Sequence, residues 1–168
     1  MKSAPRFPRS SLAAGIIAVA VAGAGFSLAA PAVAQTPFNA LAGNWSGSGQ
    51  MRLEDGRSER LSCRAYYSPK DGGASMGIAL RCASQSYKIE LRSSLRYAGG
   101  RVSGTWEERS FNVGGAVAGR ASTGALSMSF SGGLTGSMSV SYTGASQRVS
   151  ISAGSGGLSS VSVNLSKG

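Results

Sequence analysis

From Gly43 to the C-terminus, apolar and polar positions alternate with a period of two. Leu126, Met128 and Phe130 alternate with Ser127, Ser129 and Ser131, and Met138, Val140 and Tyr142 with Ser139 and Ser141. Val149 and Ile151, then Val161, Val163 and Leu165, repeat the pattern against Ser and Asn. The earlier half does the same through Leu61-Cys63-Ala65-Tyr67, Met76-Ile78-Leu80-Cys82 and Tyr87-Ile89-Leu91. A strand with one apolar and one hydroxyl face suits an antiparallel sheet that is wet on one side. No stretch keeps a helical period for two turns. Turn residues separate the runs at Asp55-Gly56, Asp71-Gly72-Gly73, Gly99-Gly100, Gly114-Gly115, Gly132-Gly133 and Gly156-Gly157. The connections are too short for crossover helices, so the strands meander up and down. Closure buries the apolar face and removes the sheet edges. The expected fold is therefore all-β: a single antiparallel up-and-down β-barrel of eight to ten strands, with a two-sheet β-sandwich as the alternative.

The first 34 residues read differently. Lys2, Arg6 and Arg9 precede an apolar run from Leu12 to Ala30, and Ala32 and Ala34 fit the small-x-small cleavage rule. Residues 1–34 are expected to be a signal peptide cleaved near Ala34, with residues 35–168 forming the barrel domain. The expected location is periplasmic or secreted. No second apolar run follows, and the few aromatics supply no interfacial girdles, so the mature chain is not expected to span a membrane.

Export sets the reading of Cys63 and Cys82, the only two cysteines. Both fall on the apolar parity of neighbouring strands across the Asp71 turn, and an oxidising compartment favours their pairing. A bridge there would close a loop of about 20 residues, worth about 3 kcal/mol in the chain-entropy model.

Composition narrows the chemistry. The 168 residues include no histidine, which removes His-based acid–base catalysis, His-ligated zinc or haem, and every Ser-His or Cys-His pair. No metal or other cofactor is expected. Beyond the signal segment the chain carries 14 basic and 7 acidic residues, and every acid lies between Glu54 and Glu108. Arg52, Arg60, Arg64, Tyr66, Arg81, Lys88, Arg92 and Arg96 share the polar parity of the early strands, making a basic outer wall interrupted mainly by Glu90. Such a wall suits either solubility or contact with an anionic envelope component. Nucleic acid is not expected as a partner, because aromatics do not interleave with the arginines as a stacking platform would. From Phe111 onward there are three basic residues and no acids, and the outward positions are rich in serine.

The segment Leu41-Ala42-Gly43-Asn44-Trp45-Ser46-Gly47-Ser48-Gly49 resembles the opening strand of lipocalins and other calycin barrels, including the nitrobindin type. In such barrels the Trp plugs the closed end, which implies that role for Trp45. A nitrobindin-like chain would hold haem through a His, and this chain has none. Together with Cys63-Arg64, Leu80-Arg81-Cys82-Ala83-Ser84 and Ser103-Gly104-Thr105-Trp106-Glu107-Glu108, the segment also resembles a group of exported Gram-negative bacterial proteins without an assigned function.

Three side chains are candidates for a ligand site: Trp45, Trp106 and Glu108. Glu107 and Glu108 are adjacent on a strand and so face opposite ways, which prevents a joint acid–base role. Glu108 takes the inward parity, where a salt bridge to an arginine at the barrel rim is expected, while Glu107 faces solvent. Asp55 and Asp71 precede glycine and read as turn residues.

The function expected from these features is an exported, non-enzymatic binding protein holding a small apolar ligand inside the barrel. Ten strands leave room for a cavity, whereas eight are filled by their own side chains. The alternatives are an exported protease inhibitor inserting the tail Gln35-Thr36-Pro37-Phe38-Asn39, and an envelope-binding factor acting through the basic face.

Overall fold

The computed structural model describes residues 36–154 and 156–168, so the signal segment expected at 1–34 lies outside the described residues. The period-two runs form ten strands: β1 (Gly43–Leu53), β2 (Ser58–Lys70), β3 (Ser75–Ala83), β4 (Lys88–Ala98) and β5 (Arg101–Glu108) make the first half. The second half is β6 (Val113–Ser122), β7 (Ala125–Gly132), β8 (Gly136–Thr143), β9 (Ser146–Ala153) and β10 (Leu158–Lys167). Each pairs antiparallel with its chain neighbours, and β10 returns to pair with β1, closing the barrel. The sandwich alternative is excluded by that last pairing.

The two ends of the barrel differ. One end carries a single helical turn, α1 (Pro37–Leu41), which the strand periodicity does not foresee. Phe38 is fully buried there against the Tyr97 ring, and Leu41 is buried beside it. Asn39 donates from its side-chain amide to the Gly72 carbonyl oxygen in the β2–β3 turn, 3.2 Å away. Of the segment read as a free inhibitory tail, Gln35 lies outside the described residues, and Pro37, Phe38 and Asn39 belong to the plug of the barrel, because Phe38 and Leu41 bury more apolar surface inside than a loose tail can. The other end has no such plug among the described residues.

Closure requires the sheet to turn corners, and inward-facing glycines permit it. A Cβ on Gly47 would run into the Asn164 carbonyl of β10, and one on Gly115 into the Ser131 carbonyl of β7. These glycines fall inside strands and not between them, so the Gly114-Gly115 pair is part of β6 and the turn lies earlier, at residues 109–112. Likewise Gly132 ends β7.

Candidate functional site

Inward positions along the strands form one continuous apolar lining, but its burial changes from end to end. Around α1, Trp45, Met76, Leu95, Val102, Leu126 and Leu165 are all buried. Toward the opposite mouth the lining is mixed: Met51, Leu53 and Leu61 are buried, whereas Leu80, Ile89, Leu91, Phe130, Met138 and Ile151 share the inward parity yet stay partly exposed. The lining is therefore sealed around α1 and partly exposed along β3, β4 and β7 to β9 toward the other end.

Trp45 belongs to the filled end. Its indole Nε1–H donates to the Leu41 carbonyl oxygen at 2.7 Å, its ring meets Tyr67 edge-on, and the Lys167 ammonium lies 5.7 Å from its centroid. Every face of the indole is taken, which leaves it no ligand to stack. Beneath it, Tyr67 and Gln147 form a buried pair: the phenol and the amide oxygen lie 3.2 Å apart, and Gln147 Nε2 donates to the phenol oxygen at 3.0 Å. Burial pushes the Tyr67 phenol pKa up, an effect the Gln147 bond partly offsets. Sequence reasoning passed over this pair, although Gln147 carries the inward parity of Val149 and Ile151.

Trp106 sits in the open half. It meets Phe130 edge-on at 5.9 Å between centroids, donates from Nε1 to the Ser131 carbonyl oxygen, and lies opposite Gly115 in the register. The ring itself is buried, while Phe130 and Val113 beside it stay partly exposed.

Glu108 is only 7 % exposed at the mouth, but among the described residues no arginine pairs with it. Its Oε1 accepts the Glu90 backbone N–H at 2.6 Å, and its Oε2 accepts that of Phe111 at 2.7 Å. The carboxylate closes the β5–β6 turn against β4, because two otherwise orphaned amides point at it. Arg109 pairs with Glu107 on the outside instead, at 3.5 Å. Around this turn lies a hollow of about 410 Å³ lined by Glu107, Glu108, Arg109, Asn112, Val113 and Gly114. Asp55 and Glu59, near the same mouth, accept backbone N–H groups as well. Asp55 is held well below its ordinary pKa by the backbone and side-chain N–H groups of Arg57, and Glu59 by the Ser84 hydroxyl and by Ser86.

Cys63 and Cys82 face each other in the β2–β3 register and are joined by a disulfide, with Cα atoms 4.1 Å apart. That bond is compatible with an exported protein. Outside, Arg52, Arg64, Arg81, Lys88, Arg92 and Arg96 are all exposed. The wall is not uniform, however. Arg81 pairs with Glu90 at 3.0 Å, and Arg92 stands opposite Glu107 in the register. No helix among the described residues is long and apolar enough to cross a membrane.

No family model matches this chain, and no curated protein is similar to it in sequence. Several solved structures share its fold, two of them as follows. Rv2717c from M. tuberculosis superposes with a TM-score of 0.64 at 14% identity, over 77% of this chain and 93% of that one. The S-type phycobiliprotein lyase CPES from Guillardia theta superposes with a TM-score of 0.55 at 11% identity, over 78% and 90%. The fold is that of a calycin-like barrel.

The second neighbour corrects one expectation. A lyase is an enzyme, and it stands on this same fold. The lack of histidine and the scarcity of free carboxylates therefore do not make a barrel of this kind non-enzymatic. A lumen that holds reactants in a fixed orientation accelerates a reaction without an acid–base pair of its own.

Proposed function

We propose that this protein is an exported binding barrel that takes a small apolar molecule into the open half of its lumen. The observation carrying this reading is the uneven burial of one inward parity: it is sealed around α1, while at the mouth Leu80, Leu91, Phe130, Met138 and Ile151 stay partly exposed beside the buried Met51, Leu53 and Leu61. Apolar side chains left wet inside a concavity are the usual mark of a ligand site. Trp106 and Phe130 offer an aromatic wall, and Leu80, Leu91, Met138 and Ile151 an aliphatic one. The two hollows, a polar one at the rim and a mixed one on the outer wall, lie outside this lumen. An apolar guest therefore belongs between the strands.

The test is native mass spectrometry of protein purified gently from its own cells, followed by titration of the stripped protein with a fluorescent fatty-acid analogue. A discrete mass released on denaturation, with saturable one-to-one binding that Leu91→Trp weakens at least about tenfold, is the expected result. A clean mature mass together with no saturable binding overturns the reading. So does binding that Leu91→Trp leaves unchanged.

A further inference from the structure

On the outer face of β1 and β2 the register sets polar side chains in facing pairs. Gln50 stands opposite Arg60, Ser48 opposite Ser62, Ser46 opposite Arg64, and Asn44 opposite Tyr66. All four positions on β2 are exposed, at every second residue, so they lie along one line of about 20 Å. At one end of this line a hollow of about 640 Å³ opens among Ser48, Gln50, Arg60, Ser62, Ser162 and Asn164. At the other end Tyr66 is 51% exposed, one of two large apolar side chains that the described residues leave so far in solvent.

Charge distinguishes this strip from the rest of the basic wall. Among the described residues, neither Arg60 nor Arg64 has a carboxylate within ion-pair distance. The one acid on β2, Glu59, has inward parity and accepts the Ser86 N–H. Arg81, by contrast, is taken by Glu90. Two free guanidiniums about 13 Å apart thus sit in a bed of hydroxyls and amides with an aromatic ring at its end.

We infer that this strip is a binding track for an acidic oligosaccharide, a chain of sugar rings bearing carboxylates. The hydroxyl and amide side chains match sugar hydroxyls as donors and acceptors, Arg60 and Arg64 match carboxylates in forked geometry, and Tyr66 matches the apolar face of one ring. An inorganic anion would use one arginine and leave the neutral groups unpaired. A hollow of this size falls within the range of about 300–1,000 Å³ that small-ligand sites occupy. Its lining mixes the Ser, Gln, Asn and Arg side chains with Leu61 and Ala83, unlike the apolar lumen, so the guest is of a different kind. The inference stands on the outer wall alone and is independent of what the lumen holds.

The experiment is an amide-resolved NMR titration of the mature protein with trigalacturonate at physiological salt. Maltotriose serves as the neutral control and polyphosphate of matched charge as the non-sugar control. Saturable shifts confined to the β1–β2 strip are expected, with Arg60→Gln plus Arg64→Gln weakening binding at least about tenfold. Tyr66→Ala should weaken it several-fold without changing its salt dependence, because stacking is not an ionic contact. All of these positions are exposed, so the variants keep the fold. Absence of shifts in the strip overturns the inference, as do shifts spread over every surface arginine or equal binding by polyphosphate.

Discussion

The Tyr142 hydroxyl donates to the Pro37 carbonyl oxygen at 3.0 Å, joining the end of β8 to the first residue of the plug across 105 positions of sequence. This bond and Phe38 hold α1 in the barrel end. Tyr142→Phe removes this bond while the α1 turn keeps the carbonyl partnered, and should cost about 0.5–1.5 kcal/mol. Phe38→Ala removes a fully buried ring and should cost about 3–5 kcal/mol. Urea unfolding of both variants measures the two effects, and the larger loss must fall on Phe38.

Strand glycines are not equivalent. Gly47→Ala forces a methyl group into the β10 backbone at a corner of the barrel, whereas Gly77→Ala places one where the nearest atom is 3.9 Å away. The first should destabilise by several kcal/mol or abolish folding, since backbone gives way less readily than a side chain. The second should lie within about 0.5 kcal/mol of the parent. Thermal unfolding of the pair separates a corner from an ordinary strand position.

Reduction of Cys63–Cys82 releases a constraint between residues 19 apart. The paired substitution to alanine should lower stability by about 2–4 kcal/mol and leave the strand signature in far-ultraviolet circular dichroism unchanged. Equal midpoints in denaturant with and without the bond would contradict this.

Burial holds the Tyr67 phenol pKa above its ordinary value of 10.0. The folded state therefore keeps this proton more tightly than the unfolded chain does. Its contribution is fully present below pH 10 and declines as pH rises through the folded pKa. Stability measured from pH 8 upward should fall above pH 10, and Tyr67→Phe should flatten that fall while costing stability at neutral pH.

Glu108→Gln tests whether the rim carboxylate serves the fold or a ligand. One of its two accepted N–H bonds would face an amide NH₂, so a loss of about 1–3 kcal/mol is expected. Affinity for an apolar probe in the lumen should stay unchanged. A selective loss of probe binding at full stability would move Glu108 into the site.

Much of this architecture is legible in the chain. Alternation with period two places nearly every inward residue correctly, because a pleated strand leaves its side chains no other choice. Parity also brings Cys63 and Cys82 to one face, and their pairing needs only the hairpin between them. Less of the candidate site is legible. Trp45 and Trp106 share a Gly-x-Trp context and the same parity, yet one is enclosed by Leu41, Tyr67 and Lys167 while the other borders the accessible lining. Local sequence does not distinguish them, since the difference arises from strands distant in the chain.

The amino-acid order by itself determined the strand class, the faces of the strands and the meander, all of which depend on contacts between near neighbours. The tertiary structure alone decided three things. It closed β1 on β10, drew residues 37–41 into one end, and divided the arginines into those met by Glu90 or Glu107 and those left free. Each depends on registers that accumulate around ten strands, so a side chain's partner is set by the whole circuit and not by the residues beside it.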